Sequence, residues 1–350
     1  MCTSDTSFGK GRPGRGRKAG APSRQGREER GARNPAGRGR PYNGRNRPSP
    51  ERSRTTDGAQ WKPHRLKKKL GQHFITDRGI LAMEAGALDA QGLRVLEIGA
   101  GDGRLSREVL LTRPAHLTLV EPDGRWAASL QSEFSKRKNV LVRARDLRDL
   151  PDEWGAQAII GNIPYQLTSD IILRLGRMQD WTRAVLCIQK EVAERLAAAP
   201  GSAHYGRMSV FAQLHFEMKT LMPVSRTSFH PVPKVDSAVV RFVPKAGRGS
   251  LPPNLEEVSG ALFSHRLASV LNALVHSRRL WGWEKEEARK RGKLLEWADR
   301  KVFTLSPDEV VRIAREIARM REDGKEGPEE MAGREARKQG GPGQRPVGSA

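Results

Sequence analysis

The chain is expected to be an α/β protein: a doubly wound sheet with helices on both faces, then a small all-helical C-terminal domain, with disordered tails at both ends. Three observations predict this. Between residues 93 and 188, short apolar runs alternate with segments of helical period, as in a parallel sheet with crossover helices. After Pro244 the pattern turns helical throughout. The first 60 residues contain no Leu, Ile, Val or Trp, so they cannot bury enough apolar surface to offset the entropy of ordering.

Taken in order, residues 93–98 (LRVLEI) form an apolar run that ends in glycines, the pattern of a strand buried on both faces. Residues 103–111 then have helical spacing. Residues 117–120 are a second strand closed by Glu121, and 124–134 a second helix. Residues 140–143 are a third strand ending near Asp146. Residues 158–161 are a fourth, leading into Asn162, with a helix at 169–175. Residues 184–188 are a fifth, with a helix at 191–198. Two further strand candidates, 217–221 and 237–243, read as an antiparallel hairpin at the sheet edge. Residues 254–280 and 307–320 read as helices, and no internal repeat is visible. Domain boundaries follow: a basic Arg/Gly-rich arm over 1–65, the sheet domain over 66–245, the helical domain over 246–322 and a tail over 323–350.

The 350 residues carry 63 Lys and Arg against 40 Asp and Glu, a formal net charge of +23. That excess is uneven. Residues 1–60 hold 15 basic and 5 acidic side chains, and 61–70 add five more positive charges. In residues 321–350 six basic and six acidic side chains cancel, which leaves +8 for 71–320. An acidic small molecule needs no such excess, whereas a phosphate backbone can use it. The arm reads either as a solvated extension or as an RNA-binding segment of the arginine-glycine type, and a nuclear address stays open. Two cysteines, Cys2 and Cys187, leave no disulfide framework and no cysteine zinc site, and no metal is expected. There is no apolar run of membrane-spanning length and no secretory h-region, so a cytoplasmic protein without a membrane partner is expected.

The first chemical signal is the segment EIGAGDG at 97–103. Alternating glycines after a strand allow a tight turn and close backbone approach to a ligand. A dinucleotide site has the spacing GxGxxG and holds a pyrophosphate. Here the spacing is GxGxG, and Glu97 would repel a pyrophosphate but suits the ammonium end of S-adenosylmethionine. Glu121, at the next strand end, can accept from ribose hydroxyls, and Asp146 lies where an adenine amino group can donate. The alternative for the glycines is a structural turn, and for Asp146 a helix N-cap.

The second signal is Asn162-Ile163-Pro164-Tyr165 after the fourth strand. An exocyclic amine of a base is a poor nucleophile, because its lone pair is delocalised into the ring. Two acceptors on its two N–H groups draw the nitrogen toward a tetrahedral shape. The Asn162 side-chain oxygen can be one, and the backbone carbonyl of Ile163 or Pro164 the other. Tyr165 offers a face for a flipped base, worth about 1–3 kcal/mol of stacking. No general base of unusual pKa is required. Asn-X-Pro is also a turn signal, and that alternative stays open here.

GQHFITD at 71–77, EIGAGDG, Glu121, Asp146, NIPY and FHPVPKVDSAVVRF at 229–242 together resemble the ribosomal RNA adenine dimethylase family over about residues 66–320. That family holds the small-subunit rRNA dimethyladenosine transferases and the macrolide-resistance methylases of large-subunit rRNA. The resemblance implies a Rossmann-like methyltransferase sheet with a helical C-terminal domain, and methyl transfer from S-adenosylmethionine to adenine N6. It places Gln72, His73 and Phe74 over the cofactor, with His73 where Asn is more usual. It assigns Glu97, Gly99, Gly101 and Glu121 to the methionine and ribose portions, Asp146 to the adenine, and Asn162 to Tyr165 to the target amine. Phe229 becomes a second aromatic of the base pocket, or otherwise a core residue. Arg195, Arg207 and Lys234 are candidates for rRNA phosphates, although solvated surface is the commoner fate of such charges.

QKEVAERL and LSPDEVVRIA resemble the small-subunit branch, while the basic arm and the Ile of NIPY also occur in the resistance branch. LFSHRLASVLNALVHSRR is a worn version of the small-subunit pattern. The expected function is therefore dimethylation of adjacent adenines in small-subunit rRNA, by a monomer acting on a precursor particle. The alternatives are a large-subunit resistance methylase and a non-catalytic RNA-binding assembly factor.

Overall fold

The computed structural model describes residues 72–151 and 153–323. The chain starts with a two-residue strand, β1 (Phe74–Ile75), and then α1 (Arg78–Leu88). Asp77 caps α1, its carboxylate accepting from the Gly79 amide at 2.8 Å. The inner face of α1 carries Ile80, Leu81, Glu84, Ala85 and Leu88, so a carboxylate sits within an apolar stripe. Next come β2 (Arg94–Ile98), α2 (Arg104–Leu111), β3 (His116–Val120), α3 (Gly124–Glu133), β4 (Val140–Arg143), β5 (Ala158–Asn162), α4 (Thr168–Arg177), β6 (Arg183–Gln189) and α5 (Lys190–Leu196). Beyond them lie α6 (Arg207–His215), β7 (Phe216–Val224), β8 (Phe229–His230) and β9 (Ser237–Pro244). The chain ends in α7 (Leu255–Phe263), α8 (Val270–His276), α9 (Arg278–Trp281), α10 (Lys285–Lys293) and α11 (Pro307–Asp323).

The main sheet has seven strands in the order β4-β3-β2-β5-β6-β9-β7. Strands β2 to β6 are parallel; β9 runs antiparallel to β6, and β7 antiparallel to β9. The chain winds outward from β2 to β4 and then crosses back to β5 on the other side of β2. A crevice opens at such a reversal, beyond the carboxyl ends of the strands. The strands alternate between two cores. Leu96, Ile159, Leu186 and Val240 pack with α4, α5 and α6 on one face. Val95, Ile160, Val185, Cys187 and Val239 pack with α1, α2 and α3 on the other.

The expected α/β architecture is present, with five parallel strands in the expected order. The expected hairpin is more involved. β7 and β9 do pair, but β9 is the inner strand, and β8 forms between them to pair with β1. Helices α1, α6 and α10 and the β1–β8 pair were not foreseen. The stretch expected to be helical over 254–280 divides into three helices, because Ser269 starts a new one by accepting the Asn272 amide and also bridges to Lys301. The basic arm and most of the C-terminal tail lie outside the described residues.

The helical part is joined to the sheet part by a shared core. Tyr205 and Val210 pack with Leu255, Val258, Val270 and Ile313. The Tyr205 hydroxyl donates to the Leu305 carbonyl at 2.8 Å, and the Gly201 amide to the Phe303 carbonyl at 2.7 Å. Tyr205 is fully buried. Tyr205→Phe therefore leaves a buried carbonyl short of its donor and should lower unfolding free energy by roughly 1–3 kcal/mol in urea titrations.

Candidate active site

Where the parallel strands end, the switch between β2 and β5 opens a cleft, and most of the expected site residues line it. Period-two alternation decides which side chains reach it. Glu97 follows Val95, Asn162 follows Ile160 and Cys187 follows Val185 on the face that packs against α1. Three neighbouring strands thus deliver a carboxyl, an amide and a thiol to one place.

The loop after β2 turns through Gly99, Gly101 and Gly103, all with positive φ. At Gly101 the need for glycine is twofold. Its φ is +55°, and a Cβ there would lie 2.3 Å from Cε1 of Phe74. Phe74 thus lies against the loop backbone, its edge against Trp126 at a centroid distance of 5.6 Å. A Cβ on Gly99 would stand 3.9 Å from both the Asn162 carbonyl and the Pro164 ring, so the two motifs are neighbours.

Glu121 braces this loop from below. It is 3 % exposed, and its carboxylate accepts the Gly101 amide at 2.8 Å and the Asp123 amide at 2.9 Å. Glu97 is different. It is 1 % exposed, and its Oε2 has no hydrogen-bond partner. Burial, and secondarily the neighbouring Asp102 and Glu121 carboxylates, push its pKa up to about 8.

The Asn162–Tyr165 turn forms the other wall. The Ile163 amide donates to the Cys187 carbonyl at 3.1 Å, and the Pro164 carbonyl accepts the Leu167 amide at 2.8 Å. Tyr165 is held at its tip by Ser237 of β9, with the two oxygens 2.9 Å apart. Its ring stacks on His73, 6.0 Å between centroids and 19° between planes. His73 Nδ1 lies 2.7 Å from the Pro231 carbonyl. Phe229 is buried opposite Ile75 in the β1–β8 pair and lines the cleft, so it belongs to both the core and the site. Gln72 lines the entrance.

Asp146 is not brought to the cleft lining. It caps the short 3₁₀ turn at Leu147–Asp149, and its oxygens take the backbone N–H and guanidinium of Arg148 at 2.8–3.0 Å. Arg148 beside it holds its carboxyl below the usual range. Of the candidate phosphate contacts, Arg195 pairs with Glu191 and Arg207 with Glu256, while Lys234 is exposed.

Sequence reasoning missed Glu84. It is 1 % exposed, and the Asn162 amide nitrogen donates to its two oxygens at 3.1 and 3.2 Å. That orientation of the amide satisfies both its ends, whereas the reverse sets oxygen against acceptors and nitrogen against donors. Burial, and then Glu97, raise the Glu84 pKa to about 8. The one signal in the sequence was a glutamate at a helix position otherwise filled by apolar residues. Among the described residues, no three or more His, Cys, Asp and Glu side chains group as a metal site. No helix among them is long and apolar enough to cross a membrane.

A family model described as ribosomal RNA adenine dimethylase matches residues 63–290. The chain belongs to this family. A protein of Methanopyrus kandleri named "Probable ribosomal RNA small subunit methyltransferase A" is 40 % identical over 233 residues, covering 65 % of this chain and 82 % of that one. The "Ribosomal RNA small subunit methyltransferase A" of Geobacter sulfurreducens is 41 % identical over 191 residues, 52 % of this chain and 69 % of the relative. Among solved structures, a dimethyladenosine transferase from Plasmodium falciparum superposes with a TM-score of 0.62 at 24 % identity, over 70 % of this chain and 98 % of that one. The 23S rRNA methyltransferase ErmE superposes with a TM-score of 0.51 at 26 % identity, over 70 % of this chain and 99 % of that one. These likenesses agree with the family anticipated from the motifs and with the α/β fold.

The two raised carboxyls give the ligand-free protein a defined pH dependence. Glu84 and Glu97 go from an ordinary value of 4.5 to about 8 on folding. Between those values the folded state keeps protons that the unfolded chain releases, so the stability these two groups contribute is full below 4.5, falls as pH rises and is lost by about 8. Thermal midpoints should decline from pH 5 to 8, and Glu97→Gln should flatten that decline.

Proposed function

We propose that the chain transfers methyl groups from S-adenosylmethionine to adenine N6 of small-subunit ribosomal RNA, dimethylating adjacent adenines in a precursor particle as a monomer. One observation carries this: the Asn162–Tyr165 turn and a Glu97 carboxyl with one unpartnered oxygen line one cleft, with Gly99 beside the turn. Family membership and the names of the small-subunit relatives support it.

The residues fit S-adenosylmethionine. A buried carboxyl oxygen without a partner suits the ammonium of the methionine portion, and glycines in the loop keep side chains out of the cleft. Glu121 keeps lone pairs for ribose hydroxyls while bracing the loop. Asp146 is the proposed partner of the cofactor's adenine, sharing its oxygens with Arg148. Gln72, His73 and Phe74 would cover the bound molecule. When bound, the cofactor supplies an electrophilic methyl group.

The chain's own work lies with the acceptor base. Asn162 Oδ1 takes one N–H of the target amine. The Ile163 carbonyl takes the other, since that of Pro164 is engaged by Leu167. Together they localise the lone pair on nitrogen. Tyr165, tethered to Ser237, and Phe229, fixed in the β1–β8 pair, provide the faces between which an extruded adenine stacks. The basic arm over 1–65 is proposed to raise encounter with RNA through phosphate attraction. The 26 % identity with ErmE supports a second reading, methylation of large-subunit rRNA.

Purified protein with labelled S-adenosylmethionine should methylate immature small subunits in preference to naked large-subunit rRNA, with the adenines mapped by primer extension. A preference for large-subunit rRNA selects the second reading, and no transfer to either refutes both. Asn162→Ala should lower kcat roughly 100-fold, the scale of a lost positioning contact, and spare cofactor affinity in calorimetry. Deletion of residues 1–60 should weaken RNA binding at low salt without moving the methylated position.

A further inference from the structure

Glu84 belongs to none of the motifs that define the site, yet it lies beneath its central residue. α1 carries it on the face packed under β5 and β6, 1 % exposed. It does not line the cleft, whereas Asn162 does. In the amide orientation that satisfies both ends of Asn162, its nitrogen stands 3.1 and 3.2 Å from the two Glu84 oxygens. An asparagine amide has two orientations of nearly equal shape and opposite chemistry. With nitrogen toward Glu84, the carbonyl oxygen faces away from it, toward donors. With the amide reversed, N–H groups would confront the N–H groups of a target amine, and no lone pair would be drawn out.

We infer that Glu84 is a positioning residue: its buried carboxyl anchors the Asn162 amide nitrogen and thereby aims the amide oxygen at the acceptor amine. The inference rests on the methyl-transfer reading above. The acceptor role survives a change of ionisation, because a protonated carboxyl still keeps a carbonyl oxygen. It also explains why a glutamate occupies a stripe otherwise made of Ile80, Leu81, Ala85 and Leu88. A buried carboxyl costs desolvation and is repelled by Glu97; packing alone would favour an aliphatic residue.

Two substitutions separate positioning from packing. Glu84→Gln keeps an acceptor oxygen at the same place. Glu84→Leu keeps the volume and removes the acceptor, and the relief of desolvation offsets the amide it leaves unpaired. The side-chain amide signals of Asn162, identified by their loss in Asn162→Ala, are followed by nitrogen-proton correlation spectra of the whole chain. They should stay at wild-type positions in Glu84→Gln and move toward those of a free amide in Glu84→Leu. In the methylation assay Glu84→Leu should lower kcat roughly 10- to 100-fold, as expected for a mis-aimed contact. Its KM for RNA and its cofactor affinity should stay within about twofold of wild type, and Glu84→Gln should recover most of kcat. Unmoved amide signals, or wild-type kcat in Glu84→Leu, overturn the inference. So does a loss of kcat that tracks a fall in thermal midpoint or is not recovered by glutamine. If wild-type protein methylates no rRNA, the functional reading fails while the amide signals still decide the Glu84–Asn162 contact.

Discussion

A carboxyl group taken out of water needs a proton or a cation, and the site is organised around two that have given up water. Glu84 and Glu97 are almost wholly buried on one face of the sheet, and Glu97 adds to the cost of ionising Glu84. Glu84 finds the Asn162 amide. Glu97, among the residues lining the cleft, keeps one buried oxygen without a partner. That carboxyl makes the stability of the protein sensitive to pH.

The placement of these groups depends on strand geometry more than on loop detail. Parallel strands β2, β5 and β6 are in register, and every second side chain points to the same face. A shift of one residue in β5 would turn Asn162 to the opposite face and put Gly161 in its place. The close approach of β2 and β5 also needs Gly161 itself, where a Cβ would lie 2.5 Å from the Ile98 carbonyl. Sheet packing and the chemistry of the amide are thus one constraint.

The aromatic walls are assembled from segments far apart in the chain. Phe74 and Phe229 come together because β1 pairs with β8, a contact across more than 150 residues. Tyr165 is oriented by Ser237 on a strand that the chain reaches only after β7 and β8. The helical C-terminal part shares a core with α6, which in turn packs on the sheet, so the elements around the cleft are backed by buried contacts on both sides.

Much of this was legible in the sequence. Apolar runs ending in Glu97, Glu121 and Asn162 marked a parallel sheet and its carboxyl edge, because strands buried on both faces must be continuously apolar and the breaks must fall at their ends. The glycine spacing and the Asn-Ile-Pro-Tyr turn are local chemistry, readable without knowing what they touch. What pairs across the chain was not legible. The sequence offers Asp146 as an N-cap, which the structure shows it to be, but does not state that its carboxylate also binds the Arg148 guanidinium two residues on. Glu84 reads as one charge on a helix, and only packing turns it inward beneath Asn162. Local composition determined the fold and the residue types at its edge; the register and the burial that set each carboxyl's partner are decided only when distant segments exclude water together.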